Sequence, residues 1–343
     1  TADVDMPQGL PPLQLTPGGD FGWLKKEYTW TPSADSMGTG RSKGERHGHS
    51  IVAADFGYVA DSRTVAPGGV YPGAALSCIS CHDPHGRYRI TSLPGPTTVV
   101  FATSGKPTRG SGSYGDTPDA TTAVGAYRLL GGAGYVPRSV AAENAFTYKP
   151  PVAVAPATFN RSEATSDTRV SYGQGTSEWC ANCHPLMHSY LPLGGSGLLV
   201  HPVGAPLPTE IYGNYNRYRG TGVLNGNATT AYLSLVPFQV DNTTDVPRLK
   251  TLTTSTQGPT ANSDVVMCLS CHRAHASAFS SSLRWSMENE FITVDNAYPD
   301  PVANPDQAQG RTVAETQQAY YGRPASAFGR WQRVLCNKCH LKD

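Results

Sequence analysis

Hydrophobic residues in this chain seldom keep the 3.6-residue period of a helix or the alternation of a strand. The clearest helical window is Thr312–Tyr321, which contains good helix formers and no glycine. A brief strand signal occurs at Thr98–Ala102. Turn-forming clusters rich in glycine separate other segments, at 16–20, 66–73, 111–115 and 130–134. The pattern therefore predicts a mostly irregular, coil-rich fold with short helices and few short strands, forming a single domain over residues 1–343.

The composition also indicates a loop-rich chain and limits its partners. The 343 residues include 36 glycines and 28 prolines, and 15% are charged, against about 25% in typical soluble domains. A net charge of +1 gives no reason to expect nucleic acid as a partner. Apolar runs such as 198–208 are short and broken by proline, so we expect no membrane span. So few regular elements predict that a bound apolar group, rather than side chains, forms the core.

All eight cysteines fall into four Cys-x-x-Cys-His units, which is the attachment signature of c-type haem. Thiols at i and i+3 lie on one face of a helical turn, and the histidine at i+4 shares that face. We therefore expect four covalently attached haem c groups. The predicted attachment residues are Cys78, Cys81, Cys180, Cys183, Cys268, Cys271, Cys336 and Cys339, and the predicted proximal iron ligands are His82, His184, His272 and His340.

Zinc and disulfides are the alternative explanations for these cysteines. Structural zinc usually takes two cysteine pairs at a characteristic separation and needs no histidine after each pair. Disulfides across a two-residue gap are mainly redox motifs, and four of them in one chain would be unusual. Because a histidine follows every pair, the motifs favour haem over both alternatives.

The remaining histidines are candidates for the second axial position of each iron. Four haems need eight imidazoles, and the chain has ten histidines. Irons with both axial positions filled indicate electron transfer rather than catalysis. A histidine that follows a proximal ligand by three or four residues is expected to reach a neighbouring haem rather than its own. A single histidine at this spacing could also be an exposed loop residue. The distal candidates are His49, His85, His188, His201 and His275.

Longer segments of the chain resemble the extracellular cytochrome nanowires of metal-reducing microbes. The resemblance is carried by DMPQGLPPLQLTPGGDFGWLKKEYTW, APGGVYPGAALSCISCHDPHGRYR, AVGAYRLLGGAGYVP, SYGQGTSEWCANCH, MCLSCHRAHAS and LCNKCHLKD. It implies a subunit that polymerises end to end and conducts electrons through stacked haems. The implied partners are further copies of itself, upstream cytochromes and extracellular acceptors such as metal oxides. The implied location is the cell exterior or outer surface, after export through the periplasm.

Two departures from the family pattern qualify this resemblance. A hexahaem member has two further motifs ahead of the point where this chain begins. We therefore expect either a four-haem member or a sequence without its N-terminal portion. The family matches His49 but not His47, so His47 is not expected to be a ligand. In the family, a neighbouring subunit completes the haem that corresponds to the Cys268 unit, and His49 is the first suspected donor.

Three functions fit the haem motifs, and none of the three is excluded by the motifs alone. The favoured function is an electron-conducting filament subunit that is not an enzyme. A monomeric periplasmic or cell-surface shuttle would share the haems but not the assembly. The low charge favours assembly, because shuttles usually dock through charge. A multihaem reductase would need an open iron position, which the histidine surplus disfavours.

Overall fold

The computed structural model describes residues 10–33, 38–92, 100–103, 105–137, 140–188 and 202–341. Its α-helices are short: α1 Cys78–Cys81, α2 Thr176–Cys180, α3 Pro185–His188, α4 Thr209–Arg217, α5 Val246–Thr251, α6 Cys268–Cys271, α7 Pro305–Ala308 and α8 Val313–Ala319. Turns of 3₁₀ helix lie at Phe21–Lys25, Gly44–Arg46, Ala54–Phe56, Gly73–Ala75, Tyr127–Leu129, Ala142–Asn144, Phe159–Arg161, Leu252–Thr254, Ser280–Ser282, Ala325–Ala327 and Leu335–Lys338. Most other described residues are coil or turn, which confirms the expected fold class.

The strands form small sheets rather than a continuous layer. They are β1 Tyr28–Trp30, β2 Gly40–Ser42, β3 Arg89–Ser92, β4 Val100–Ala102, β5 Thr108–Arg109, β6 Ala123–Gly125, β7 Ala153–Val154 and β8 Ser171–Tyr172. β1 and β2 pair antiparallel, as do β7 and β8. The largest sheet has the order β4-β3-β6-β5, in which β5 runs parallel to β6 and the other pairs are antiparallel. β6 is buried and leads into the 3₁₀ turn that meets the first Cys-x-x-Cys-His unit.

The sequence signals for regular structure are confirmed where the structure describes them. Helix α8 fills the predicted helical window and begins at a capping box. The Thr312 hydroxyl accepts from the Glu315 amide, and the Glu315 carboxylate accepts from the Thr312 amide at 3.0 Å. The strand signal becomes β4, while residues 98–99 lie outside the described residues.

The expectation that haem rather than side chains forms the core needs correction. A large cluster of buried side chains lies mainly in the C-terminal half and includes Tyr215, Leu235, Phe238, Trp285 and Tyr320. Tyrosines contribute much of it because each ring buries a large area, while its hydroxyl reaches a backbone carbonyl in the surrounding coil. The Tyr215 hydroxyl, for example, donates to the Val236 carbonyl at 2.7 Å. The coil therefore packs around aromatic side chains as well as around any bound group.

The N-terminal residues are fixed onto the C-terminal half of the chain. The Tyr321 hydroxyl donates to the Thr16 carbonyl at 2.7 Å, and Lys26 pairs with Glu315 at 3.2 Å in a fully buried position. These contacts place the segment around residue 20 beside the histidines discussed below. None of the described helices has the length and apolar character needed to cross a membrane.

Candidate haem-binding centres

All four Cys-x-x-Cys-His units form the turn that the spacing predicts. In each unit the histidine amide donates to the carbonyl of the first cysteine. The N–O distances are 3.0 Å at His82, His184 and His272, and 2.8 Å at His340. This i→i+4 bond places both cysteines and the histidine of a unit on one side of a single turn.

The second intervening residue of each unit is polar and anchors the turn, a feature that the sequence analysis missed. Ser80 and Ser270 accept from the backbone amide just before their units, at 2.9 and 3.2 Å. Asn182 accepts from the Thr147 amide at 2.8 Å, and the Lys338 ammonium donates to the Tyr218 carbonyl at 2.7 Å. Each turn is thus held by a hydrogen bond that leaves its cysteines and histidine available.

Three of the four histidines that end the Cys-x-x-Cys-His units turn one ring nitrogen toward a backbone carbonyl. The Nδ1 atoms of His82, His184 and His272 each lie 2.8 Å from a carbonyl oxygen, those of Arg128, Pro67 and Ser281 respectively. A carbonyl can only accept, so Nδ1 carries the proton and Nε2 keeps its lone pair. Histidine ligands of metals usually show this arrangement.

Two of these carbonyls belong to residues with left-handed backbone conformations. Arg128 has φ 53° and Ser281 has φ 59°, a region that residues with a side chain rarely adopt. Each conformation turns the carbonyl toward its histidine. Such strain often persists where function requires it.

Two pairs of imidazole rings lie close together and are tilted relative to each other, by 39° for His49 and His184 and by 60° for His82 and His275. The ring centres of His49 and His184 are 6.0 Å apart, and those of His82 and His275 are 6.3 Å apart. Two imidazoles bound to one first-row metal at about 2.0–2.1 Å each have ring centres roughly 6 Å apart. His49 also turns its Nδ1 to the Ala274 carbonyl at 2.6 Å. Both separations are therefore compatible with two histidines that would share one metal ion.

The two pairs are joined through the backbone at His49 and His275. The His49 amide donates to the His275 carbonyl at 2.9 Å, and Gly48 forms an antiparallel bridge with Ala276. Phe21 stacks on the His275 ring with the ring centres 4.6 Å apart, a contact that the sequence analysis did not identify. This crossing of two segments, residues 47–49 over residues 274–277, is called the ligand joint below.

His47 differs from the paired histidines, as the family pattern implies. Its Nδ1 lies 2.9 Å from the Trp23 carbonyl, and its Nε2 lies 2.8 Å from the Ser42 hydroxyl. Both nitrogens are occupied, so neither is available to iron. His47 is a buried structural residue of the N-terminal segment.

The other distal candidates have different surroundings. The His188 Nε2 is buried without a hydrogen-bond partner among the described residues, 3.9 Å from a Glu178 carboxylate oxygen. His85 is exposed, and no ring pair is found for it in the described part of the chain. His201 lies outside the described residues. The His49 ring lies 6.0 Å from the ring of His184 in its own chain, and its suspected role as donor to the Cys268 unit of a neighbouring copy stays a prediction.

Burial favours the neutral form of His49, His184 and His275. Desolvation is the main cause that lowers the pKa of His49 and His184, and it lowers the pKa of His275 to about 4. A metal binds the neutral imidazole. These sites are therefore prepared to coordinate iron over the physiological pH range.

The cysteines suit thioether attachment better than thiolate coordination. Burial raises the pKa of the second thiol in every unit to about 12, at Cys81, Cys183, Cys271 and Cys339. Zinc binds thiolates, and these thiols resist ionisation. Across the described ranges, no group of three or more cysteine, histidine or acidic side chains could hold a metal ion. The Trp285 indole also donates to the Cys336 sulfur at 3.2 Å, another contact that the sequence analysis missed.

Buried polar atoms without partners provide a test of whether haem fits. Nε and Nη2 of Arg128, and Nη2 of Arg273 and Arg284, are buried and donate to no acceptor among the described residues. Such orphan donors are costly unless a ligand satisfies them. Haem carries two propionate carboxylates, which guanidinium groups bind well. The orphan donors and the paired imidazoles therefore fit haem.

The chain is similar to known c-type cytochromes over its whole length. The chain is 50% identical to the C-type cytochrome OmcS of Geobacter sulfurreducens over 357 aligned positions, covering all of this chain and 79% of that protein. Two solved filaments, the OmcS nanowires and the Outer Membrane Cytochrome S filament of that organism, match with TM-scores of 0.89. They are 49% and 48% identical to this chain, and each match covers all of it and 84% of the other chain. No protein-family model matches.

Proposed function

Because this chain belongs to the OmcS family of c-type cytochromes, we propose that it is the repeating subunit of an extracellular filament that conducts electrons. The chain carries covalently attached haem c. When bound, haem c supplies a one-electron iron couple. The residues of the chain hold the haems in place, fill their axial positions and exclude water from them, so the protein transfers electrons and is not an enzyme.

Four haems are proposed, one at each Cys-x-x-Cys-His unit. The thioether positions are Cys78, Cys81, Cys180, Cys183, Cys268, Cys271, Cys336 and Cys339, and the proximal ligands are His82, His184, His272 and His340. The common turn of the four units supports this assignment. The orphan nitrogens of Arg128, Arg273 and Arg284 are proposed partners of propionates.

One observation carries the proposal: the two close imidazole pairs, with ring centres 6.0 and 6.3 Å apart. We assign His49 as the distal ligand to the iron of His184, and His275 as the distal ligand to the iron of His82. Because both axial positions are then filled by protein, no position remains for a substrate. His275 follows the Cys268 unit in sequence but serves the Cys78 unit, so it keeps two haems close together.

The distal ligands of the other two irons are proposed from the remaining histidines. His188 is a distal ligand because its Nε2 is buried and has no partner among the described residues. His85 and His201 remain candidates. The exposed position of His85 suits a haem that approaches from another copy, as the family resemblance implies for the iron of His272.

The location and the domain organisation follow from the same assignment. The protein is extracellular, and we propose export through the periplasm, electron supply by upstream cytochromes and delivery to external acceptors such as metal oxides. We also propose that residues 1–343 form one multihaem domain. The contacts of Thr16 with Tyr321 and of Lys26 with Glu315 support this, because they join distant parts of the chain.

Two measurements on purified protein test the proposed function. Mass spectrometry of the denatured chain should show four added haem masses, and a Cys180→Ala/Cys183→Ala variant should show three. Negative-stain electron microscopy of the native protein should show filaments. A chain with another number of haems would contradict the assignment of four, and particles that stay monomeric at all concentrations would contradict the filament.

A further inference from the structure

The aromatic ring of Phe21 stacks on the imidazole of His275, which is proposed above as a distal ligand. The two ring centres lie 4.6 Å apart, and the ring planes differ by 24°. Offset stacking at this separation is a favourable arrangement of aromatic rings. By contrast, Tyr28 is tilted by 33° against His47, with the ring centres 5.8 Å apart. The stacked Phe21 ring therefore constrains the plane of the His275 imidazole.

The backbone of two glycines contacts the same histidine. The His275 amide donates to the Gly18 carbonyl at 2.7 Å, and the His275 ring is hydrogen-bonded to the backbone of Gly19. A methyl group added at Gly18 would lie 3.2 Å from Nδ1 and 3.3 Å from Cε1 of the ring, which is tighter than ordinary contact. Glycine lets the backbone approach the imidazole this closely because it has no side chain. Gly18, Gly19 and Phe21 are together called the imidazole cradle below.

Backbone contacts hold the imidazole cradle in place. Gly19 forms a parallel bridge with Ala276, which follows the histidine in sequence. The Asp20 carboxylate accepts from the Gly22 amide at 2.8 Å and caps the 3₁₀ turn that begins at Phe21. The Phe21 ring is thus fixed relative to the segment that carries the imidazole.

We infer that Phe21 is a positioning residue, whose ring fixes the plane of the His275 imidazole on the iron of the Cys78 haem. The inference rests on the proposed function, in which His82 and His275 share that iron. An imidazole interacts with the iron d orbitals in a direction set by its ring plane, and groups outside the coordination shell orient that plane. The two rings of this pair are tilted by 60°, against 39° for the pair at the Cys180 unit. The cradle thereby gives the two haems different electronic states.

Electron paramagnetic resonance of the ferric holoprotein tests the inference, because the largest g value of a low-spin haem depends on the angle between its axial imidazoles. Phe21→Leu removes the stacking ring and should shift this g value in one of the four haems. Phe21→Tyr keeps an aromatic ring and should give the wild-type spectrum. The matched control is Phe328→Leu, which loses ring contacts with Tyr298 and Tyr320 rather than with a histidine and should leave every signal unchanged.

Several results would overturn the inference. One is an unchanged spectrum of Phe21→Leu. Another is an equal shift in Phe21→Tyr or in Phe328→Leu, because loss of the stacking ring would then not be the cause. A third is carbon monoxide binding by reduced Phe21→Leu, since the ring would then keep His275 on the iron rather than set its plane.

Mass spectrometry of the same samples counts the haems and separates this inference from the proposed function. If Phe21→Leu does not take up four haems, Phe21→Met replaces it in the test, because the flexible methionine side chain fills space without a ring. A wild-type protein that carries another number of haems, or that binds carbon monoxide, would refute the proposed function itself.

Discussion

Gly48 lies in the ligand joint, where the segment carrying His49 crosses the segment carrying His275. A methyl group added at Gly48 would lie 2.2 Å from the His275 carbonyl oxygen and 2.6 Å from Cα of Ala276. Both atoms belong to the backbone and cannot rotate away. The two segments must therefore separate by about 1 Å before these contacts reach ordinary van der Waals distances. Overpacking of this kind typically costs about 1–3 kcal/mol. Metal–ligand distances tolerate only about 0.2 Å, so a 1 Å displacement removes a distal imidazole from iron.

We expect Gly48→Ala to affect two haems together, because the joint carries the proposed distal ligands of both. Carbon monoxide binding to the reduced protein, measured by absorbance, should rise from none to as many as two haems per chain. The control is Gly213→Ala in helix α4, where an added methyl group meets no atom within 4 Å and no carbon monoxide should bind. If Gly48→Ala keeps a wild-type low-spin spectrum and binds no carbon monoxide, the assigned pairing is wrong.

Two further pairs of variants test the axial assignment and the stability of the fold. His49→Ala should open one haem per chain to carbon monoxide, whereas His47→Ala should open none. His47→Ala should instead lose two buried hydrogen bonds worth roughly 1 kcal/mol each. Equal carbon monoxide binding by the two variants would refute the distinction between these histidines. Glu163→Gln should lower the free energy of unfolding by about 3–5 kcal/mol, because two buried guanidinium groups lose their carboxylate at 2.8 and 3.2 Å. Denaturant unfolding measures this loss. The control Asp295→Asn breaks an exposed ion pair and should lower the free energy of unfolding by under about 1 kcal/mol. Similar losses of stability in the two variants would contradict the account.

Local features of the centres could be predicted from the sequence because they depend on short spacings. Cysteines at i and i+3 with a histidine at i+4 share one face of a turn, and all four units show the expected bond. The spacing of His275 after His272 predicts that it serves another unit, and its ring centre lies 6.3 Å from that of His82 in the Cys78 unit. Helix α8 could be predicted because its capping box and helix formers agree.

The long-range features could not be predicted in this way. The partner of His49 depends on the crossing at Gly48, which brings together segments more than two hundred residues apart. The aromatic core was also missed, because its tyrosines are dispersed through coil and follow no helical or strand period. The carbonyls of Arg128 and Ser281 reach their histidines through left-handed conformations that these residue types do not signal.

A cryo-electron microscopy reconstruction of the purified filament tests the central claim most directly. The account predicts a haem joined to both cysteines of all four units, with one iron between His49 and His184 and another between His82 and His275. Density for fewer haems, or either of these irons bound by a different distal residue, would contradict it.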